Sequence, residues 1–238
     1  MYKDTMYHRT SLLVGNEGIE KLKSTHIWIF GVGGVGGFAA EALVRAGVGT
    51  ITVVDHDVVN VTNLNRQIIA THSTLGMSKV EAFAKRAVDI NPDICINAVN
   101  KCYLPDNSHE FDFAGADYII DAIDMVTAKL HLIQNAKAAG VPIISSMGTG
   151  NKLDNMHFEV TDIYKTTTDP LAKVMRRELK KRGVDSLNVV YSTAAPIKPE
   201  TSNGERPVTA SVPWVPSVGG LVIAGKVIDD ILRGVNDV

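Results

Sequence analysis

The turn Gly31-Val32-Gly33-Gly34-Val35-Gly36 stands between a short apolar run and a helix-forming segment. Glycines in that setting let the backbone turn tightly and approach phosphate oxygens. The free N–H groups and positive dipole end of the following helix attract anions. Asp55, 24 residues after Gly31 at the end of the next β-branched run, is placed to accept both hydroxyls of a ribose. By itself this pattern fits a dinucleotide and hydride transfer, or a glycine turn that only packs a helix on a strand. Arg66 and Lys79 point elsewhere. A hydride-transfer enzyme has no need of two cations there, whereas a triphosphate does: Arg presents a planar fork to phosphate oxygens and Lys a compact point charge. Singly, each reads as a surface charge; beside the glycine turn, they read as phosphate ligands.

Such a site needs strands and helices in alternation. Residues 26–30 form a short apolar run ending at glycine, as a buried parallel strand does. Residues 38–46 read as a helix with Ala39, Leu43 and Ala46 on one stripe and Gly47 as its stop. Strands follow at 50–54, 94–99, 118–120 and 142–145, with helices at 78–90 and 127–139 between them. Alternation of this kind implies right-handed crossovers. The expected fold is α/β: a Rossmann-like, doubly wound, mostly parallel sheet with additional C-terminal strands and helices. Past Gly148 the rhythm changes. Residues 156–163 alternate as strands covering an edge or face, 170–182 form an amphipathic helix, 188–191 a strand and 219–232 a closing helix. The intervening 196–216 holds five of the nine prolines and reads as a long loop. The chain is expected to be one domain over 1–238, with a nucleotide-binding core at 1–150 and a substrate-facing extension at 151–238.

Composition narrows the class. A chain of 238 residues with 45% hydrophobic content can bury a core without staples. Its formal net charge of -2 gives no global pull toward nucleic acid or anionic lipid, and no stretch reaches the ~20 apolar residues of a membrane span. Cys95 and Cys102 offer neither a disulfide framework nor zinc-site spacing, so a reduced, cytoplasmic setting is the default and both read as small buried hydrophobes.

Further motifs share a known pattern. The glycine turn, Arg45-Ala46-Gly47-Val48-Gly49, Asp55, Asp57, Asn63-Leu64-Asn65-Arg66-Gln67, Gly76-x-x-Lys79 and Ile120-Asp121-Ala122-Ile123-Asp124 together resemble the ubiquitin-activating-enzyme-like adenylating superfamily. In the second half, Asp162-Ile163-Tyr164-Lys165-Thr166, Pro170-Leu171-Ala172-Lys173-x-x-Arg176 and Val189-Val190-Tyr191-Ser192 resemble its tRNA threonylcarbamoyladenosine dehydratase branch. The resemblance implies an ATP site. Asp55 with Asp57 would hold the ribose end, and the backbone at Gly31, Gly33, Gly34 and Gly36 would face the phosphates. Asn63, Arg66 and Lys79 would grip the triphosphate, and Asp124 would position magnesium. From the residues alone, Asp124 equally suits the cap of the helix that follows. Arg9, in Tyr7-His8-Arg9, resembles an arginine that reaches the partner subunit's phosphates, which implies a homodimer. Zinc is not expected, because neither C-x-x-C pair of several relatives is present.

The implied reaction activates a carboxylate as its adenylate. In this branch the carboxylate is the threonyl group of N6-threonylcarbamoyladenosine at position 37 of tRNA, which then cyclises with loss of water. Two positions depart from the branch's pattern: no glutamate stands two residues after Ser192, and Asp169 stands where a cysteine is expected. An RNA substrate needs phosphate contacts, and Lys173, Arg176, Arg177, Lys180 and Lys181 fall on one face of the 170–182 helix, opposite Leu171, Val174, Met175 and Leu179. That stripe is equally an ordinary solvated face. The loop at 197–214, with Lys198 and Arg206, is expected to fold over the anticodon loop. The other readings are adenylation of a ubiquitin-like sulfur carrier, an inactive nucleotide-binding scaffold and an NAD oxidoreductase. A sulfur-transfer or acceptor protein is a possible further partner; DNA and a transmembrane segment are not expected.

Overall fold

The structure, a computed structural model, describes residues 2–199 and 209–234. The loop expected at 196–216 lies partly outside these residues, Arg206 included. Among the described residues, seven strands form one sheet: β1 (His26–Phe30), β2 (Thr50–Val54), β3 (Cys95–Val99), β4 (Tyr118–Asp121), β5 (Ile143–Ser146), β6 (Phe158–Asp162) and β7 (Asn188–Ser192). Their order is β3-β2-β1-β4-β5-β7-β6, and only the β6–β7 pair is antiparallel. The expected doubly wound sheet is therefore present, with β6 covering one edge.

The inner strands are apolar throughout because both faces are covered. On one face lie α1 (His8–Lys23), α2 (Gly36–Ala46), α3 (Lys79–Ile90) and α6 (Trp214–Arg233); Leu22, Leu43, Phe83 and Ile223 join Ile27, Ile29 and Ile51 there. On the other lie α4 (Val126–Ala138) and α5 (Pro170–Lys181), where Leu132, Ile133, Met175 and Leu179 meet Phe30, Ile119 and Val189. Both cores draw on residues before and after position 150. Among the described residues no helix is long and apolar enough to cross a membrane.

Three elements differ from the sequence reading. α1 carries no clear helical stripe because Gly15 kinks it at φ 76°, and its buried side rests on Gly18, Ile19 and Leu22 while Leu12 and Leu13 face outward. α2 starts at Gly36 rather than 38, inside the glycine turn. α6 starts at Trp214, five residues before the expected 219, because Pro213 and Pro216 sit at the cap and in the first turn. A missing N–H costs nothing at those positions.

Candidate active site

The strand order reverses between β1 and β4, where the connections to β2 and to β5 leave in opposite directions. A crevice at the carboxyl ends of such strands is where open α/β sheets bind ligands. A cavity of about 650 Å³ opens there, bordered by Gly31, Gly33, Gly34, Asp55, Asp57, Asn63, Arg66, Lys79 and Asp124. The fold thus gathers nine of the expected ligands around one space. Gly36 stands behind the lining, and Arg9 lies exposed on α1, away from its own chain's cavity.

The glycines serve different needs. A Cβ on Gly36 would stand 1.8 Å from the Gly31 carbonyl, and one on Gly31 (φ +90°) would stand 2.6 Å from the Ala122 carbonyl. Both are fixed by backbone crowding. Gly33 meets nothing nearer than Gln67 Nε2 at 3.9 Å, so its missing side chain leaves room for a ligand.

Asp55 staples the site together. Its Oδ2 accepts the Val32 N–H at 2.8 Å and its Oδ1 the Asp57 N–H at 2.9 Å. Ser78 caps α3, which sets Lys79 at the first helical position, and its Nζ reaches Asp57 Oδ2 at 2.6 Å and Asp55 Oδ2 at 3.9 Å. Burial opposes ionisation of Asp57, but the hydrogen bond and charge of Lys79 outweigh it and hold the carboxyl below its ordinary value. Arg66 follows the 3-10 turn Val61–Asn63, in which Asn63 Oδ1 accepts the Asn60 N–H at 2.9 Å. The Arg66 guanidinium donates to the Thr62 carbonyl at 2.8 Å and to Asn65 Oδ1 at 3.0 Å.

Asp124 does not cap α4. Met125 takes the cap position without a side-chain bond, and the Asp124 carboxylate is exposed to the cavity. What holds it in place lies beneath. Asp121 and Lys129 form a fully buried ion pair at 2.9 Å. Lys129 Nζ also donates to the Ile123 carbonyl at 3.1 Å, and Asp121 Oδ1 accepts the Ile123 N–H at 3.2 Å. Ser145 Oγ donates to Asp121 Oδ2 at 2.5 Å. Both peptide groups of Ile123 are therefore clamped next to Asp124. Among the described residues, the one set of three or more metal-ligating side chains within reach of one another is Asp55, His56 and Asp57, which excludes Asp124.

Several lining residues were not singled out from the sequence. Gln67 is 6% exposed and its Oε1 has no partner among the described residues. Lys152 and Asp169 form a second buried ion pair at the cavity's other end. The cysteine reading is corrected: Cys95 is exposed on the edge strand β3, and Cys102 is half-buried and borders the cavity. Burial, followed by the charges of Asp57, Asp55 and Asp124, pushes the Cys102 thiol up, so it stays protonated.

The basic stripe on α5 is also corrected in part. Arg176 is half-buried and donates to the carbonyl and hydroxyl of Thr166, so it anchors the helix to the preceding turn. Val174 is exposed, and the buried side is Ala172, Met175 and Leu179. Arg182 and Lys181, with Arg177, gather on Glu178 and hold its carboxyl down at about 2. Lys173 and Lys180 are exposed on the same helix.

Comparison with known proteins agrees with this fold. Residues 7–229 match the model of the ThiF family. The tRNA threonylcarbamoyladenosine dehydratase of Bacillus subtilis is 42% identical, over 96% of this chain and 95% of that one. The enzyme of that name from Escherichia coli is 38% identical, over 81% of this chain and 75% of that one. The crystal structure of Escherichia coli tRNA N6-threonylcarbamoyladenosine dehydratase in complex with ATP superposes with a TM-score of 0.87 at 34% identity, covering 95% of this chain and 93% of that one.

Proposed function

Because this chain belongs to the ThiF family, we propose that it is an ATP-dependent tRNA threonylcarbamoyladenosine dehydratase. The observation that carries the reading is the convergence of the glycine turn, Arg66, Lys79 and Asp124 on one cavity, in a chain of which 96% matches the Bacillus enzyme.

A free carboxylate is a poor electrophile because it would have to expel oxide. Here a threonyl carboxylate oxygen bonds the α-phosphorus of ATP and pyrophosphate departs, leaving an acyl adenylate. The carbamoyl group of the same modified nucleoside then attacks the acyl carbon, AMP leaves, and a proton is released. The net change is loss of one water and formation of a ring. The chain's part is mostly positioning and neutralisation of charge. Gly33 gives the phosphates room, Asp55 lies at the ribose end, and Asn63, Arg66 and Lys79 face the triphosphate. Magnesium neutralises phosphate charge when bound, and a single exposed carboxylate suits a cation held chiefly by phosphates; Asp124 would hold it. In a homodimer, Arg9 of a second copy is the cation brought from outside.

The test is incubation with ATP, magnesium and tRNA carrying N6-threonylcarbamoyladenosine. Release of AMP with a nucleoside lighter by one water is expected. AMP formation only with a ubiquitin-like carrier protein would replace this reading with carrier adenylation, which uses the same ATP residues but is not the reading the relatives favour.

The tRNA phosphates are assigned to α5, through Lys173 and Lys180 rather than Arg176. Converting both lysines to Ala is expected to weaken tRNA binding and to lower its salt slope by about 1 per lysine, with ATP affinity unchanged. Filter binding across a salt series measures this. An unaltered slope removes α5 from the interface.

A further inference from the structure

The end of the cavity away from Asp55 is built where the tips of β5 and β7 meet the start of α5. Lys152 is 3% exposed there and Asp169 1%. Lys152 Nζ donates to the Ser192 carbonyl at 2.9 Å and to Asp169 Oδ2 at 3.2 Å. Asp169 Oδ1 is already taken by the Ala172 N–H at 2.8 Å, as the cap of α5. An ammonium carries three hydrogens. The third on Lys152 meets no acceptor among the described residues. A buried charge with an unused donor is costly, and this one borders the cavity rather than a sealed core.

Its position gives the donor a use. Lys79 stands against Asp55 and Asp57, Lys101 is paired with Glu110, and the Arg66 guanidinium is held by Thr62 and Asn65. Among the described lining residues Lys152 is the cation tied to the tip of β7, through the Ser192 carbonyl. A carboxylate that must approach the α-phosphate of a polyanion needs a cation of its own on the far side. Asp169 and the Ser192 carbonyl together fix where the remaining hydrogen of Lys152 points.

We propose that Lys152 binds the carboxylate that is to be adenylated, an amino-acid carboxylate carried on RNA, and then the oxyanion formed at the same carbon during ring closure. The proposal deepens the dehydratase reading and rests on it. In the first step the carboxylate, held by one oxygen to Lys152, bonds the α-phosphorus through the other while the bond to pyrophosphate breaks. In the second the carbamoyl group adds to the acyl carbon and the carbonyl electron pair moves onto the oxygen facing Lys152. That pair returns as the bond to AMP breaks, and the nucleophile's proton passes to water. Lys152 keeps its own proton throughout.

The testing variant is the double Lys152→Met/Asp169→Asn, which removes both charges and leaves a side chain able to cap α5. The single Lys152→Gln accompanies it. Three measurements are made on the full chain: ATP affinity, affinity for tRNA with and without the threonylcarbamoyl group, and ATP–pyrophosphate exchange driven by the modified tRNA. Wild type is expected to prefer modified tRNA. Both variants are expected to bind ATP and unmodified tRNA as wild type does, to lose the preference, and to lose about 10²-fold in exchange rate. Retained preference and exchange overturn the proposal, and so does an equal fall in affinity for both tRNAs, which marks a structural role. Absence of tRNA-driven exchange in wild type would instead overturn the dehydratase reading itself.

Discussion

Lys79→Ala is expected to lower kcat/KM for adenylate formation by about 10²–10³, the scale seen when one preorganised donor to developing charge is removed. The effect has two sources. Lys79 is the cation 2.6 Å from Asp57 and 3.9 Å from Asp55, so without it two carboxylates confront an incoming triphosphate unneutralised. It is also rigid: the first residue of a capped helix, almost wholly buried, it cannot be replaced by a mobile surface lysine. Arg66→Ala is expected to act in the same direction, since its fork is held open over the cavity by Thr62 and Asn65. Pyrophosphate exchange with modified tRNA measures both. Near-normal turnover in either variant would mean that the phosphates lie elsewhere.

Lys129→Met is expected to be the most destabilising of the substitutions considered. Lys129 and Asp121 are both 0% exposed. Removing one partner of a buried pair costs about 3–5 kcal/mol, out of a total of about 5–15 for a typical domain. For a domain of this size the melting temperature should fall by roughly 6–20 °C. The double variant Lys129→Met/Asp121→Asn, which leaves no buried charge, should recover part of that loss. It should not recover activity, because the Ile123 carbonyl has lost its donor and Asp124 is no longer held over the cavity. Thermal melting checks the first expectation and exchange kinetics the second. A melting point within the error of wild type for the single variant would show that the pair adds nothing to stability.

What was legible in the sequence followed local rules. The glycine turn, Asp55 and Lys79 belong to strand–turn–helix units whose spacing is set by backbone geometry, and Arg66 is fixed by a short turn close by. The Lys152–Asp169 pair has no such signature, because 17 residues and two elements separate its members and only tertiary packing joins them. Asp124 illustrates the reverse case: its type suited a helix cap, but the helix begins one residue later and the cap is Met125. α1 escaped notice because Gly15 breaks its period, and α6 looked short because its first turn contains proline. The cysteines were misread because composition speaks to typical burial, whereas an edge strand and a cavity wall decided these two.

The order β5-β7-β6 sets a sequence of events for a chain that emerges from its amino end. Among the described residues, β6 pairs only with β7, and the outer edge of β5 is closed only by β7. Until residues 188–192 have been made, β6 has no ladder to join, and β5, already paired with β4, keeps its outer edge open. Long-range pairings of this kind are slow to close and leave aggregation-prone edges open meanwhile. The strand that arrives last is also the one whose tip supplies the Ser192 carbonyl to Lys152. The carbonyl that fixes Lys152 is therefore made after Gly31, Asp55, Arg66, Lys79 and Asp124, while Pro216, which packs on the glycine turn at Gly34, is made later still.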